Sequence, residues 1–262
     1  CYTAAPRPEV FAVTRIWNER FVVRASEVDA SKRASAEAVC AWLQEAAGNH
    51  AARLGCAVDD LLPRGLTWVL TRLRVDLDRL PSWREEVEVS TWPSGVDRSW
   101  ALREFRLTDS GGAAIGVAVT AWAILDLASR RPMSPPVELA EIARDTPPRV
   151  RGGPLAKVPE LSDPETSRPI EVRFADLDLN RHANNVRMVG WVLEGLPDAV
   201  RFGTLRRLEV EFRAEAMLGD ALRSETARSA EKTCLHRVVR VADGREIVRA
   251  RTVWESGSER PD

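Results

Sequence analysis

Histidine is scarce in this 262-residue sequence, with only three, and lysine supplies only three of the 38 basic residues. The arginine bias by itself carries no functional reading. The 39 acidic residues bring the formal net charge to −1, so no global field draws the chain to nucleic acid or to an anionic membrane surface. The four cysteines, Cys1, Cys40, Cys56 and Cys234, are scattered, with no C-x-x-C and no metal-ligand spacing. That pattern argues against a bound metal or a disulfide framework, and reduced thiols in a cytoplasmic protein are expected. The uncharged stretch Gly111 to Leu125 is short for a bilayer span and rich in small residues, so it reads as a buried strand. The chain begins at Cys1 and not at a methionine, which leaves room for a preceding segment; no signal-peptide pattern is read in the residues present.

What is present describes an ordinary globular protein. Hydrophobic residues make up 44% and charged residues 29%, and the length suits one large domain or two of about 130 residues. The densest chemistry lies between Arg173 and Glu194, where Asp178, Asn180, His182, Asn184 and Asn185 fall within eight residues and an apolar helical pattern follows at once. In an extended segment alternate side chains share a side, which would put Asp178, Asn180 and His182 together. Asn184 is a good N-cap, and Gly190 is placed where a helix comes close to a sheet. The positive end of that helix, with its free N–H groups, suits a carbonyl oxygen gaining negative charge. A polar, capped loop is the plainer reading of the same residues.

Along the chain, Phe21–Arg24 reads as a short strand and Ala36–Leu54 as a helix stopped by Gly55. Strands are expected at Leu66–Leu77, Glu86–Trp92, Arg98–Thr108 and Gly116–Asp126, with Asp109-Ser110-Gly111-Gly112 as a turn. Residues 1–10 read as a loose lead-in. The Pro-rich, aperiodic stretch from 130 to 168 reads as a linker.

The second half repeats the first. An offset of 149, as between Arg24 and Arg173, lays Glu27 on Asp176, Asp29 on Asp178, Ala34 on Ala183, Trp42 on Trp191 and Glu45 on Glu194. An offset of 135, as between Arg72 and Arg207, lays Val75 on Val210, Asp76 on Glu211 and Thr91 on Thr226. Each unit is a strand, a polar loop, a long helix and a run of strands, which is a duplicated α+β unit. The expected fold is a tandem, or double, hotdog, each half a long helix wrapped by an antiparallel β-sheet. The units are placed at residues 10–135 and 169–256, joined by a linker over 136–168. Where the second half has Asn180 and His182 the first has Ser31 and Arg33, so chemistry is expected in the second unit. The first is left as the non-catalytic unit; of the tryptophans within strands, Trp68, Trp92, Trp100, Trp122 and Trp254 read mainly as core, and some are free to line a pocket for a bound chain in the first half. His50 reads as a packed helix residue and His236 as a solvent-facing strand residue.

Asp176 to Glu194 (DLDLNRHANNVRMVGWVLE) resembles the signature of the acyl-acyl carrier protein thioesterases of plants and bacteria, which are double-hotdog enzymes. Residues 43–51 (LQEAAGNHA), 66–75 (LTWVLTRLRV) and 81–92 (PSWREEVEVSTW) resemble that family's first domain, so the likeness runs from about Phe21 to Trp254. The resemblance implies hydrolysis of a fatty acyl thioester on an acidic acyl carrier protein, without cofactor or metal. It places catalytic Asp, Asn and His at Asp178, Asn180 and His182. The family's aromatic-Arg-Arg-Glu-Cys motif falls on Phe212-Arg213-Ala214-Glu215-Ala216, which keeps the glutamate as Glu215 and replaces the cysteine by Ala216. A cysteine nucleophile is thereby excluded at that position, and attack by water is expected, with Glu215 or His182 as base. Glu215 has the opposite parity to the buried Leu208, Val210 and Phe212, so a bulge or strand end is expected before it.

Three rivals stand beside this reading: a hydratase of the same fold, an acyl-CoA thioesterase, and a catalytically silent acyl-binding hotdog. The hydratase pattern D-x-N-P-x-H needs a proline that Asp178-Leu179-Asn180-Arg181-His182 lacks. Neither nucleic acid nor membrane is expected as a partner, and both monomer and homodimer suit a double hotdog.

Overall fold

Two antiparallel half-sheets meet edge to edge in a computed structural model that describes residues 15–135, 141, 143–144, 146–150 and 155–255. The lead-in over residues 1–10, Cys1 and the Gly152-Gly153-Pro154 part of the linker lie outside the described residues. The first half runs β1 (Trp17–Val22), α1 (Ala36–Arg53), the single-turn α2 (Val58–Leu61), β2 (Leu66–Leu77), β3 (Glu86–Asp97), β4 (Trp100–Asp109), β5 (Ala114–Asp126) and the two-residue β6 (Pro132–Met133). The second runs β7 (Thr166–Glu171), α3 (Asn185–Glu194), α4 (Asp198–Arg201), β8 (Thr204–Phe212), β9 (Ala221–Ala230), β10 (Thr233–Arg240) and β11 (Glu246–Glu255). The strand order is β1-β3-β4-β5-β2-β8-β11-β10-β9-β7, with β6 on β5, so each half repeats the other in mirror order about the β2–β8 seam. This is the double hotdog.

The seam pairs Arg72 with Glu211 and Asp76 with Arg207, while Leu73, Val75, Leu208 and Val210 turn to the other face and are buried. Period-two alternation thus gives one apolar face, which packs on the helices, and one charged face. On the charged face Asp76 is held by Arg74 at 2.8 Å and Arg207 at 2.5 Å, and Arg251 by Glu209 at 2.5 Å. Much of the arginine excess therefore serves as cross-strand pairing. The linker lies over this face: Val158 and Leu161 are buried there, and the Val158 N–H donates to Glu211.

The helices differ more than their aligned sequences imply. Helix α1 has 18 residues and is capped by the Ser35 hydroxyl, which accepts from the Ala38 N–H. Helix α3 has only 10 and is capped by Asn184 at the matching position. It ends where Gly195 lies against β9; a Cβ there would stand 2.6 Å from the Thr226 hydroxyl. Gly190 serves a contact other than the expected one. Its missing side chain admits Glu37 of α1, whose carboxylate would lie 2.8 Å from a Cβ, so the close approach is helix to helix and not helix to sheet.

The repeat also extends past the aligned segments. Thr120 pairs with Arg103 and Thr252 with Cys234, and the indoles of Trp122 and Trp254 donate to Thr120 and Thr252 at 2.8 and 2.7 Å. One correction follows. His236, expected to face solvent, is fully buried with Nδ1 at 2.8 Å from the Thr226 hydroxyl and Nε2 at 2.8 Å from that of Thr252. Strand parity alone could not show which face of β10 the core would cover.

Candidate active site

The Asp178–His182 segment is a tight turn, not the extended run that alternation suggested. The Asp178 carboxylate accepts the N–H of Asn180 at 2.8 Å and of His182 at 3.2 Å, and the Asp178 N–H donates to the His182 carbonyl. Arg181 takes φ +62°, a left-handed conformation the turn requires. Asp178 therefore sets the loop through backbone amides. The first half has the same construction: Asp29 accepts from Ser31 and Arg33, Asp29 N–H donates to the Arg33 carbonyl, and Lys32 has φ +60°.

Glu215 reaches the same place from another element. Strand β8 ends at Phe212, which resolves the parity problem by a strand end. The returning chain is bridged to the loop by His182 and Met217, and the Ala183 N–H donates to the Ala216 carbonyl. His182 Nδ1 stands 3.7 Å from Glu215 Oε1, with the two side chains 31% and 43% exposed. That gap is longer than a hydrogen bond and short enough for a small rotation to close. Asn180 lies at the exposed tip of the turn. The structure thus brings His182 and Glu215 together, leaves Asn180 at the exposed tip of the same turn two residues from His182, and uses Asp178 to fix the turn.

Three features escaped sequence reasoning. Arg130, in the turn after β5, crosses from the first half and contacts both Glu215 oxygens at 3.0 and 2.9 Å. No local pattern marks it, because the contact spans 85 residues. The helix N-terminus is less open than expected, since Asn184 already accepts the Val186 N–H. And the 135-residue offset lays Leu80 on Glu215, so the first half has none of the asparagine, histidine and glutamate at the three matching positions.

Neither of the buried cysteines among the described residues, Cys40 and Cys234, takes the missing nucleophile's place. Ala216 is fully buried. Burial pushes the Cys40 thiol far up and that of Cys234 to about 11, so neither forms a thiolate readily. Among the described residues no group of His, Cys, Asp and Glu is arranged to hold a metal ion, and no helix is long and apolar enough to cross a membrane.

A cavity of about 230 Å³ lies in the first half, between α1 and the inner face of β2–β5. Trp68 and Trp122 line it, whereas Trp92 and Trp254 are core.

Residues 14–143 match the acyl-ACP thioesterase N-terminal domain and residues 160–256 the acyl-ACP thioesterase C-terminal domain. The chain belongs to the acyl-ACP thioesterase family. Among curated members, an Arabidopsis thaliana oleoyl-acyl carrier protein thioesterase is 31% identical, over 91% of this chain and 75% of its own length. The palmitoyl-acyl carrier protein thioesterase of the same plant is 30% identical over 92% of this chain. The chain spans 64% of that relative, a little under two thirds. Among solved structures, an acyl-ACP thioesterase from Bacteroides thetaiotaomicron superposes with TM-score 0.83 at 26% identity, covering 92% of this chain and 98% of that one. The 12:0-ACP thioesterase of Umbellularia californica gives 0.82 at 27% identity over the same shares.

Proposed function

We propose that this acyl-ACP thioesterase family member hydrolyses the thioester of fatty acyl-acyl carrier protein in the cytoplasm, releasing free acid. The observation that carries the reading is the approach of His182 to Glu215 beside Asn180, built only in the half that also matches the family's C-terminal domain. Water held between Glu215 and His182 attacks the thioester carbonyl carbon as its proton passes to one of them. The Asn180 amide donates to the carbonyl oxygen, a task the occupied Val186 N–H cannot perform. The tetrahedral oxyanion then expels the thiolate, which takes up the proton. Asp178 fixes the turn that presents Asn180 and His182. Arg130 holds Glu215 before substrate arrives and ties the first half to the reacting centre.

Side chains around the turn favour a carrier protein over CoA. Phe174 is 83% exposed and Leu179 wholly so, flanked by the exposed Arg173 and Arg181. The first half has Ala25 and Ala30 at the two apolar positions. Apolar anchors ringed by arginine suit an acidic protein surface. The deciding experiment measures thiol release from acyl-carrier-protein and acyl-CoA panels for wild type and His182→Ala. Release from carrier protein that falls by about 10²–10⁴ in the variant supports the reading. Release unaffected by the substitution, or none from either carrier, overturns it.

A further inference from the structure

The cavity in the first half contains a charge that a plain hydrocarbon cannot use. Arg103 lies on β4 with the same parity as the core residues Phe105 and Leu107, so it points to the inner face, and it is only 8% exposed. Its Nη1 group lies 2.9 Å from His50 Nδ1 and 3.3 Å from the Thr91 hydroxyl. Since arginine only donates, His50 accepts at Nδ1 and is neutral there. No carboxylate pairs with Arg103 among the described residues, and its remaining N–H groups find no acceptor among them while the residue lines the cavity. Burial pushes it down to about 10, still cationic at neutral pH. Cys56, also in the wall, is pushed up by its own burial and supplies no balancing charge at neutral pH.

The fold does not require a cation at this position. By register Arg103 lies between Pro93 and Thr120, and its counterpart Cys234 lies between Arg228 and Thr252. The second half has a small buried thiol, Cys234, at this position. An unpaired guanidinium in an apolar pocket is destabilising unless something neutralises it. A carboxylate matches it best, because two parallel N–H···O bonds form and the charge is cancelled. A hydroxyl or ketone would satisfy one N–H and leave the charge unmatched.

We propose that Arg103 makes this cavity the receiving site for an acyl chain ending in a carboxylate, so that ω-carboxyacyl thioesters are preferred substrates. This rests on the hydrolase reading above for turnover, but not for binding. The Gln44 side chain in the same wall offers a further amide donor.

The test compares ω-carboxyacyl and plain acyl thioesters of equal length on the same carrier, for wild type, Arg103→Leu and Arg103→Lys. Wild type should favour the ω-carboxyacyl substrate by about tenfold or more in kcat/KM, the scale of one charge-assisted pair. Arg103→Leu should lose that preference mainly through KM, and Arg103→Lys should restore part of it. A wild-type preference for the plain chain, with the ratio unchanged in both variants, overturns the proposal. Calorimetric binding of a dicarboxylic acid monomethyl ester against the matching fatty acid methyl ester, on wild type, needs no turnover and no variant. Tighter monoester binding without hydrolysis of either thioester sinks the hydrolase reading alone. Hydrolysis with no monoester advantage sinks the Arg103 proposal alone.

Discussion

Asp29 and Asp178 each accept two backbone N–H groups in the same turn, and Ser35 and Asn184 each cap the helix that follows. Around these shared anchors the halves diverge. The first half has Ser31, Arg33 and Leu80 where the second has Asn180, His182 and Glu215. It also has a long helix, a cavity and a buried arginine, where the second half has a short helix and, at the arginine's counterpart position, a buried thiol. The backbone scaffold survived duplication because its hydrogen bonds are local and obligatory. Side chains that merely project from it were free to diverge, and under the proposed function one half holds a chain while the other cuts it.

Exchanging residues between the halves gives the largest effect. His182→Arg, which imports the counterpart Arg33, should lower kcat/KM by about 10²–10⁴, while Arg33→His should leave it within about twofold. Steady-state thiol release with a circular dichroism check on folding decides it, and equal losses would break the division of labour.

Next comes acid stability. Burial lowers His236 from its ordinary 6.5 to about 3. Between those values the unfolded chain binds a proton that the native ring refuses, so stability is present above about pH 6.5 and declines on acidification. The slope is about 1.4 kcal/mol per pH unit at most. The counterpart position, opposite Thr91, is Phe105. His236→Phe should start about 1–3 kcal/mol less stable, from two hydroxyls left without a partner, but with a flatter acid limb in denaturant titrations at pH 7 and pH 4.

Asp178→Ala and Asp29→Ala should each cost about 1–3 kcal/mol, read as similar shifts in urea midpoint. Only the first should also abolish turnover. Matching activities in the two variants would mean the turn carries no chemistry. The smallest effect is expected from Ala216→Cys. An extra sulfur in that closed site should cost about 1–3 kcal/mol in thermal denaturation and leave turnover unimproved, if water is the attacking group. A gain in rate with trapping of an acyl-enzyme would reverse that mechanism.

Most strands were legible because alternation is a short-range signal: Leu66–Leu77 matches β2 at both ends, and Ala36–Leu54 misses α1 by one residue. The Asp178 turn was misread as extended because its geometry comes from one carboxylate gathering two amides, which residue spacing does not encode. Arg130 and Leu80 were invisible for another reason, since their significance lies in contacts or equivalences across the seam.

By itself the sequence determined the duplication, the α+β class, the family resemblance and which half carries the imidazole. These depend on residue type and order along one segment. The tertiary structure decided that His182 and Glu215 approach, that Arg130 reaches between halves, that His236 is enclosed, and that Arg103 faces a cavity with no carboxylate paired to it among the described residues. Each of these is a distance between segments far apart in the chain, fixed by how one sheet folds around two helices of unequal length.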